Sequence, residues 1–242
     1  AIQVPHNDVD AMDGIIRTWR AGGGNGRVWI AVETLYSMDG DRAPLDDLVA
    51  LAARHDAMLL LDEAHATGVH GDRGRGLAAA YEGAPNIISL HTCGKALGAA
   101  GALLLMPRLY RDFMVNRGRA FIYSTAPSPL MAAVVREALK ICAGAQQERA
   151  QLAALVRHAG EGIRRLGLPV SGSQIQPVIV GEDRRAVALA EALQARGYDI
   201  RAIRPPTVPE GTARLRLALT LHVTAADLDA LFADLEAEMT KQ

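Results

Sequence analysis

The sequence predicts an α/β protein, with a mostly parallel sheet in the first part of the chain and a smaller α+β domain at the C-terminal end. Three observations carry this reading. Short apolar runs alternate with stretches of helical spacing, the pattern left by strand–helix–strand units. The runs are continuously apolar, as strands covered on both faces require. Past Pro129 the texture shifts to long Ala/Leu/Arg-rich segments, which are helix-forming sequence.

The first strand is Val28-Trp29-Ile30-Ala31-Val32, set off by the turn Gly22-Gly23-Gly24-Asn25-Gly26. Pro44 to His55 follows with Leu45, Leu48, Val49 and Ala52 at helical spacing and Pro44 suited to a helix start. Ala57 to Leu61 is a second buried strand ending at Asp62, and Ile87–Leu90 and Ala102–Leu105 are two more, flanking a glycine-rich loop that holds Lys95. Leu130 to Leu166 reads as helix interrupted near Gly144. A strand at Pro177–Val180, a helix over Asp183–Arg196, strands near Tyr198–Ile203 and Ala213–Leu219, and a helix from Ala225 complete the pattern. We place the large domain at residues 1–135 and the small one at 136–242.

The 242 residues, half of them hydrophobic, suffice for one core or for a core with a smaller second one. A net charge of −1 supplies no general field for nucleic acid or an anionic membrane. No apolar run approaches the roughly 18–20 residues of a membrane span. The first twenty residues carry Asp8, Asp10 and Asp13, unlike a secretory signal. Cys93 and Cys142 form neither a disulfide framework nor a zinc motif. The expectation is a cytoplasmic protein without metal, nucleic acid or membrane as partner.

Three acid or base positions fall at strand ends, where α/β sheets bind ligands. Asp62 and His65 follow the Leu59-Leu60-Leu61 run; Lys95 follows Ile87–Leu90 in Thr92-Cys93-Gly94-Lys95-Ala96-Leu97-Gly98; Ser37 follows the first strand. This set suits pyridoxal phosphate (PLP). A carboxylate, Asp62, keeps the pyridine nitrogen protonated so that the ring withdraws electrons. A lysine amine, Lys95, links to the cofactor and moves a proton at the substrate α-carbon. Thr92 and loop N–H groups donate to the phosphate. Taken singly, each residue has a plainer reading: a strand-end Asp as a helix cap, a lone His as a satisfied polar group, a loop Lys as solvated. A competing reading takes Leu61-Asp62-Glu63-Ala64-His65 as a Walker B box for ATP hydrolysis, but that needs a GxxxxGK[ST] loop upstream, and none is present.

Glu33-Thr34-Leu35-Tyr36-Ser37-Met38-Asp39-Gly40-Asp41, Asp62-Glu63-Ala64-His65-Ala66-Thr67-Gly68 and Thr92-Cys93-Gly94-Lys95 resemble the α-oxoamine synthases, fold-type-I PLP transferases that join an amino acid to an acyl thioester with loss of CO₂. The run Ile203-Arg204-Pro205-Pro206-Thr207-Val208-Pro209, with Gly211 to Leu217, is similar to the biotin-pathway branch, which uses alanine and a pimeloyl thioester on CoA or acyl carrier protein. Pro205-Pro206-Thr207 argues against a sister enzyme that uses glycine and acetyl-CoA. The resemblance implies Lys95 as the covalent anchor, Asp62 at the pyridinium, and His65 and Ser37 near the phenolic oxygen. It further implies Thr92 at the phosphate, Thr207 at the substrate and Arg216 on the amino-acid carboxylate, where a planar guanidinium binds bidentately. Arg214 and Arg216 alternate with Leu215 and Leu217, so solvent-facing positions are the plainer reading for both. A homodimer is implied, with Ser124 and Thr125 reaching the partner's phosphate. Glu63 sits where the family has Asp or Glu and is given no role. The resemblance also implies that the family's N-terminal third is missing here, with a glycine-rich phosphate turn, a ring-stacking residue and a substrate arginine. The chain is then a fragment of a complete synthase, a partial large domain with exposed apolar strand edges plus the small domain; if expressed as it stands, the alternative is an inactive remnant or a binding module.

Overall fold

Parallel strands need crossovers between them, and the first part of the chain supplies one helix and one irregular stretch with a short 3₁₀ turn at Asp72–Gly74. The computed structural model describes residues 1–241. Helix α1 (Val9–Ala21) starts at Asp8, whose side chain accepts the Ala11 N–H at 2.8 Å. Sequence reading missed this helix, because acidic residues interrupt its apolar stripe. Strand β1 (Trp29–Glu33) leads to α2 (Leu45–Arg54), with Asp46 and Asp47 in its first turn and Arg54 in its last, matching the helix dipole. Leu48, Leu51 and Ala52 of α2 are fully buried, and the helix packs against β2 (Met58–Asp62). Then come β3 (Ile87–Thr92), β4 (Ala102–Leu105), α3 (Arg108–Arg117), α4 (Arg119–Ile122) and α5 (Pro129–Gly144).

The sheet order is β1-β2-β3-β4, with β1, β2 and β3 parallel and β4 antiparallel to β3. Glu33 registers with Asp62 and Asp62 with Leu90, so the carboxyl ends of the parallel strands are level. The next residues fasten these ends: Thr34 N–H donates to Asp62 O at 2.9 Å and Glu63 N–H to Leu90 O at 2.8 Å.

One face of this sheet is closed. Ile30, Val32, Leu59, Leu61, Ser89 and His91 project from it, and none is more than 9% exposed. The opposite face is covered only at its amino half, where Met58 and Ile88 are buried and Tyr110 Oη donates to Met58 Sδ at 3.2 Å. Toward the carboxyl ends Ala31, Ala102 and Leu104 are exposed, and Leu60 and Leu90 are half-buried. The apolar exposure anticipated at the strand edges is present at β4.

The second unit is separately packed. It comprises Gln146–Gln242 and the segment Tyr36–Asp41. Helices α6 (Gln146–Arg165), α7 (Asp183–Gln194) and α8 (Ala225–Thr240) accompany β5 (Ile175–Gly181), β6 (Arg201–Ile203) and β7 (Ala213–Ala218), an antiparallel sheet of order β5-β7-β6. Ile163, Val178, Leu189, Leu193, Leu215 and Leu235 form the centre of its core, each at most 1% exposed. Each such residue contributes about 1.5–3 kcal/mol by burial. Gly162 lets α6 meet α8 closely: a Cβ there would lie 2.3 Å from the Phe232 ring. A reciprocal Thr224–Asp227 capping box starts α8.

The units divide between Ala145 and Gln146, not at residue 135. Residue 135 lies inside the unbroken helix α5, and Val135 is buried with Cys93 and Leu97 of the first unit. The predicted break near Gly144 coincides with the division. Segment 36–41 was read as part of the large domain, yet it packs with the second unit. At Gly40 (φ +69°) an added Cβ would lie 2.1 Å from Ile175 O, so only glycine allows that approach.

Candidate active site

The first unit gathers four of the predicted residues at the carboxyl end of its sheet. Asp62 ends β2 and Thr92 ends β3. Registered neighbours share a face of a sheet, as do residues two apart on a strand. Asp62, Leu90 and Thr92 therefore project from the open face, while Ser89 and His91 project from the closed one. The Asp62 carboxylate is oriented by its own turn, Oδ1 accepting the Ala64 N–H at 2.8 Å.

Below this turn lies a residue to which sequence reading gave no role. Glu63 is fully buried, and its carboxylate accepts the N–H of Leu77 at 3.0 Å and of Ala78 at 2.5 Å. Burial pushes its pKa up, opposed by those two N–H bonds and by Thr34. Gly76 (φ +97°) must be glycine, because a Cβ would lie 2.2 Å from Glu63 Oε2. Glu63 thus clamps the 71–78 loop beneath the end of β2. The only signal available in the sequence was an acid buried among apolar neighbours. Half-buried His65 rides on the same turn, which is closed by Thr67 N–H donating to Glu63 O at 2.8 Å.

The Lys95 loop is held at both sides. Cys93 and Leu97 point inward and are 1% and 5% exposed, which leaves Gly94, Lys95 and Ala96 outside. Cys93 N–H donates to Gly101 O at 2.9 Å and Ala99 N–H to Cys93 O at 2.8 Å. Burial raises the Cys93 thiol pKa, so this cysteine is inert packing. The loop touches the turn that carries His65: a Cβ on Gly68 (φ +82°) would lie 2.6 Å from Ala96 Cβ. The protein has three lysines. Lys140 pairs with Glu137 and Lys241 with Glu238, each at 2.9 Å, whereas Lys95 has no ion pair.

Thr92 supplies the test of whether a phosphate-bearing cofactor fits. Its Oγ1 is buried and has no hydrogen-bond partner among the described residues. A buried hydroxyl left unpaired is costly, and a ligand oxygen at the end of β3 would satisfy it. The fit is therefore positive. On the closed face, a cavity of about 270 Å³ is lined by Thr67, Arg75, Glu82, His91 and Cys142. It lies on the side of the sheet away from Asp62 and Thr92, so it is not this site. There His91 bonds Thr67 Oγ1 at 2.9 Å and Ser89 Oγ at 3.2 Å; burial lowers its pKa, partly offset by Glu82 and Asp62.

The remaining predicted residues belong to the second unit. Arg214 and Arg216 are not solvent-facing, which corrects the plainer reading of that strand. Arg214 is 4% exposed; it pairs with Asp39 and donates to Met38 O at 3.3 Å and Thr212 O at 3.0 Å. Arg216 Nε donates to Ser37 O at 2.6 Å. The two arginines hold the 36–41 segment from one face of β7, while Leu215 and Leu217 enter the core on the other. Thr207 is exposed on the loop after β6, its N–H donating to Arg204 O at 3.0 Å. Ser124 is exposed just past α4, its Oγ donating to Ala120 O at 2.5 Å.

Residues 1–235 match the family model "Aminotransferase class I and II". The chain is 43% identical over 240 residues to an 8-amino-7-oxononanoate synthase from Anaeromyxobacter dehalogenans, which covers 98% of this chain and 59% of the relative. Sphingomonas wittichii serine palmitoyltransferase superposes with a TM-score of 0.87 at 26% identity, over 96% of this chain and 59% of its own. A serine palmitoyltransferase variant from S. paucimobilis, solved with bound PLP–myriocin, gives a TM-score of 0.84 at 26% identity over the same shares. The chain spans about three fifths of the length of these relatives.

Proposed function

Because the chain belongs to the aminotransferase class I and II family, we propose that it serves a PLP-dependent decarboxylative condensation of L-alanine with a pimeloyl thioester, on CoA or acyl carrier protein, giving 8-amino-7-oxononanoate for biotin synthesis. The observation that carries this reading is the unpaired Thr92 hydroxyl, on the same sheet face as Asp62 and three residues before the one lysine without an ion pair. Similarity to the named synthase over 98% of the chain supports the choice of substrates.

When bound, PLP supplies an electron-poor ring that stabilises the electron pair left at the amino acid's α-carbon. Lys95 would hold the cofactor covalently, and its amine would take the α-proton and later return a proton to that carbon. Asp62, fixed by Ala64 N–H, keeps the pyridine nitrogen protonated. Thr92 Oγ1 donates to the phosphate, and His65 and Ser37 bond the phenolic oxygen. Arg216 binds the alanine carboxylate and Thr207 lies at the substrate; Arg216 also orients the Ser37 backbone. With these groups in place, the α-carbon attacks the thioester carbonyl and the thiol leaves. The resulting β-keto acid loses CO₂.

A homodimer, with Ser124 and Thr125 directed at the other subunit's phosphate, and a cytoplasmic location form part of the proposal. Among the described residues no helix is long and apolar enough to cross a membrane. The test is product formation from alanine with pimeloyl-CoA against glycine with acetyl-CoA, in the chain and in a Lys95→Ala control. Product from the first pair, abolished by Lys95→Ala, is the expected result; turnover of only the glycine pair contradicts the assignment.

A further inference from the structure

On the closed face of the first unit's sheet, His91 and Thr67 join two elements that carry proposed cofactor contacts. Thr67 closes the turn that follows Asp62 and includes His65, while His91 lies on β3 next to Thr92. Thr67 Oγ1 is 2.7 Å from Glu63 O and 2.9 Å from His91 Nδ1. His91 Nε2 is 3.2 Å from Ser89 Oγ, on the same face of the strand. Glu63, Thr67, Ser89 and His91 are all buried, so their polar atoms must satisfy one another. Burial also holds the His91 pKa below its ordinary value, which keeps the ring neutral at pH 7.

The available protons select one form of that neutral ring. A carbonyl oxygen only accepts, so at 2.7 Å the Thr67 hydroxyl commits its single proton to Glu63 O. Thr67 Oγ1 can then only accept from Nδ1, which must carry the hydrogen. Among the described residues Nε2 is the only partner of Ser89 Oγ, so Ser89 donates there and Nε2 is the bare nitrogen. The reverse tautomer would set lone pairs of Nδ1 and Oγ1 against each other and leave the buried Ser89 proton without an acceptor. Glu82 does not reverse this. Its Oε1 is 3.6 Å from Nε2, beyond hydrogen-bond reach, and its Oε2 is 2.5 Å from Arg75. We propose that His91, held as its Nδ1–H tautomer, is a positioning residue: by donating to Thr67 it fixes the 62–68 turn to β3 and so sets Asp62 and His65 relative to Thr92. The consequence for cofactor binding rests on the proposed PLP function; the tautomer and its hold on the turn do not.

The tautomer is tested by histidine nitrogen NMR on the full, unaltered chain at neutral pH without PLP, with the His91 signals assigned by their loss in His91→Asn. The expected result is a protonated Nδ1 and a bare Nε2; the reverse pattern overturns the proposal. Positioning is tested by amide substitutions. An Asn side-chain N–H₂ reaches the place of Nδ1, whereas that of Gln reaches toward the place of Nε2. In His91→Gln and Thr67→Val the amides of Ala66 and Thr67 should exchange roughly three- to tenfold faster, and PLP affinity should fall by a similar factor. His91→Asn, and Thr67→Ser with its hydroxyl kept, should stay within about twofold of the parent. Equal behaviour of His91→Asn and His91→Gln overturns positioning through Nδ1. A parent chain that binds no PLP defeats the proposed function, and the NMR and exchange results still decide the role of His91.

Discussion

The two units bury their apolar residues differently. The second unit encloses Ile163, Leu193, Leu215 and Leu235 between three helices and an antiparallel sheet. The first unit leaves Leu109, Phe121, Leu130 and Ile141 of α3–α5, and Tyr123 just past α4, between 63% and 76% exposed. One unit is closed by its own residues and the other is closed on one sheet face only. The catalytic candidates Asp62, Thr92 and Lys95 lie in the open unit, so the chemistry and the incomplete packing occur together.

The strongest test of this contrast is a core deletion. Leu215→Ala should cost about 2–5 kcal/mol, read as a lowered denaturation midpoint with probes in the second unit. Within that unit, Gly162→Ala sets a methyl against the Phe232 ring and should cost about 1–3 kcal/mol; equal stability of variant and parent would show that the helices are not closely packed. In the first unit, Glu63→Ala leaves the buried N–H groups of Leu77 and Ala78 without their acceptor. The expected loss is about 1–3 kcal/mol, with faster hydrogen exchange at those two amides.

The pH response should separate the units further. His91 has a folded pKa below its ordinary 6.5, chiefly because it is buried. The unfolded chain therefore binds the proton first as pH falls, and stability drops from pH 6.5 down through the folded value. Melting of the first unit between pH 7 and 5 should show this slope, and His91→Gln should flatten it. The smallest effect is expected at the open edge. Leu104→Ala removes a half-exposed side chain and should change stability by no more than about 0.5 kcal/mol. A loss as large as that at Leu215 would mean the edge is already covered.

The strands of the first unit were legible because they are continuous apolar runs, and the glycines flanking Lys95 marked its loop. Helix α1 was hidden because Asp10 and Asp13 break its apolar spacing; Asp13 is buried there, bonded to Arg17, Arg54 and His55. The plainer reading put the arginines of β7 at the surface because strand alternation reports two faces without saying what covers the second. Here that cover is the 36–41 segment, far away in sequence. Glu63 went unassigned for the same reason, since its partners, Leu77 and Ala78, belong to a loop with no pattern of its own.

The most direct measurement of the central claim is borohydride reduction of the chain after incubation with PLP, with peptide mass spectrometry over all three lysines. The account predicts a phosphopyridoxyl mass on the Lys95 peptide alone, absent in Lys95→Ala. Label on Lys140 or Lys241 in place of Lys95, or no label on Lys95, would contradict it.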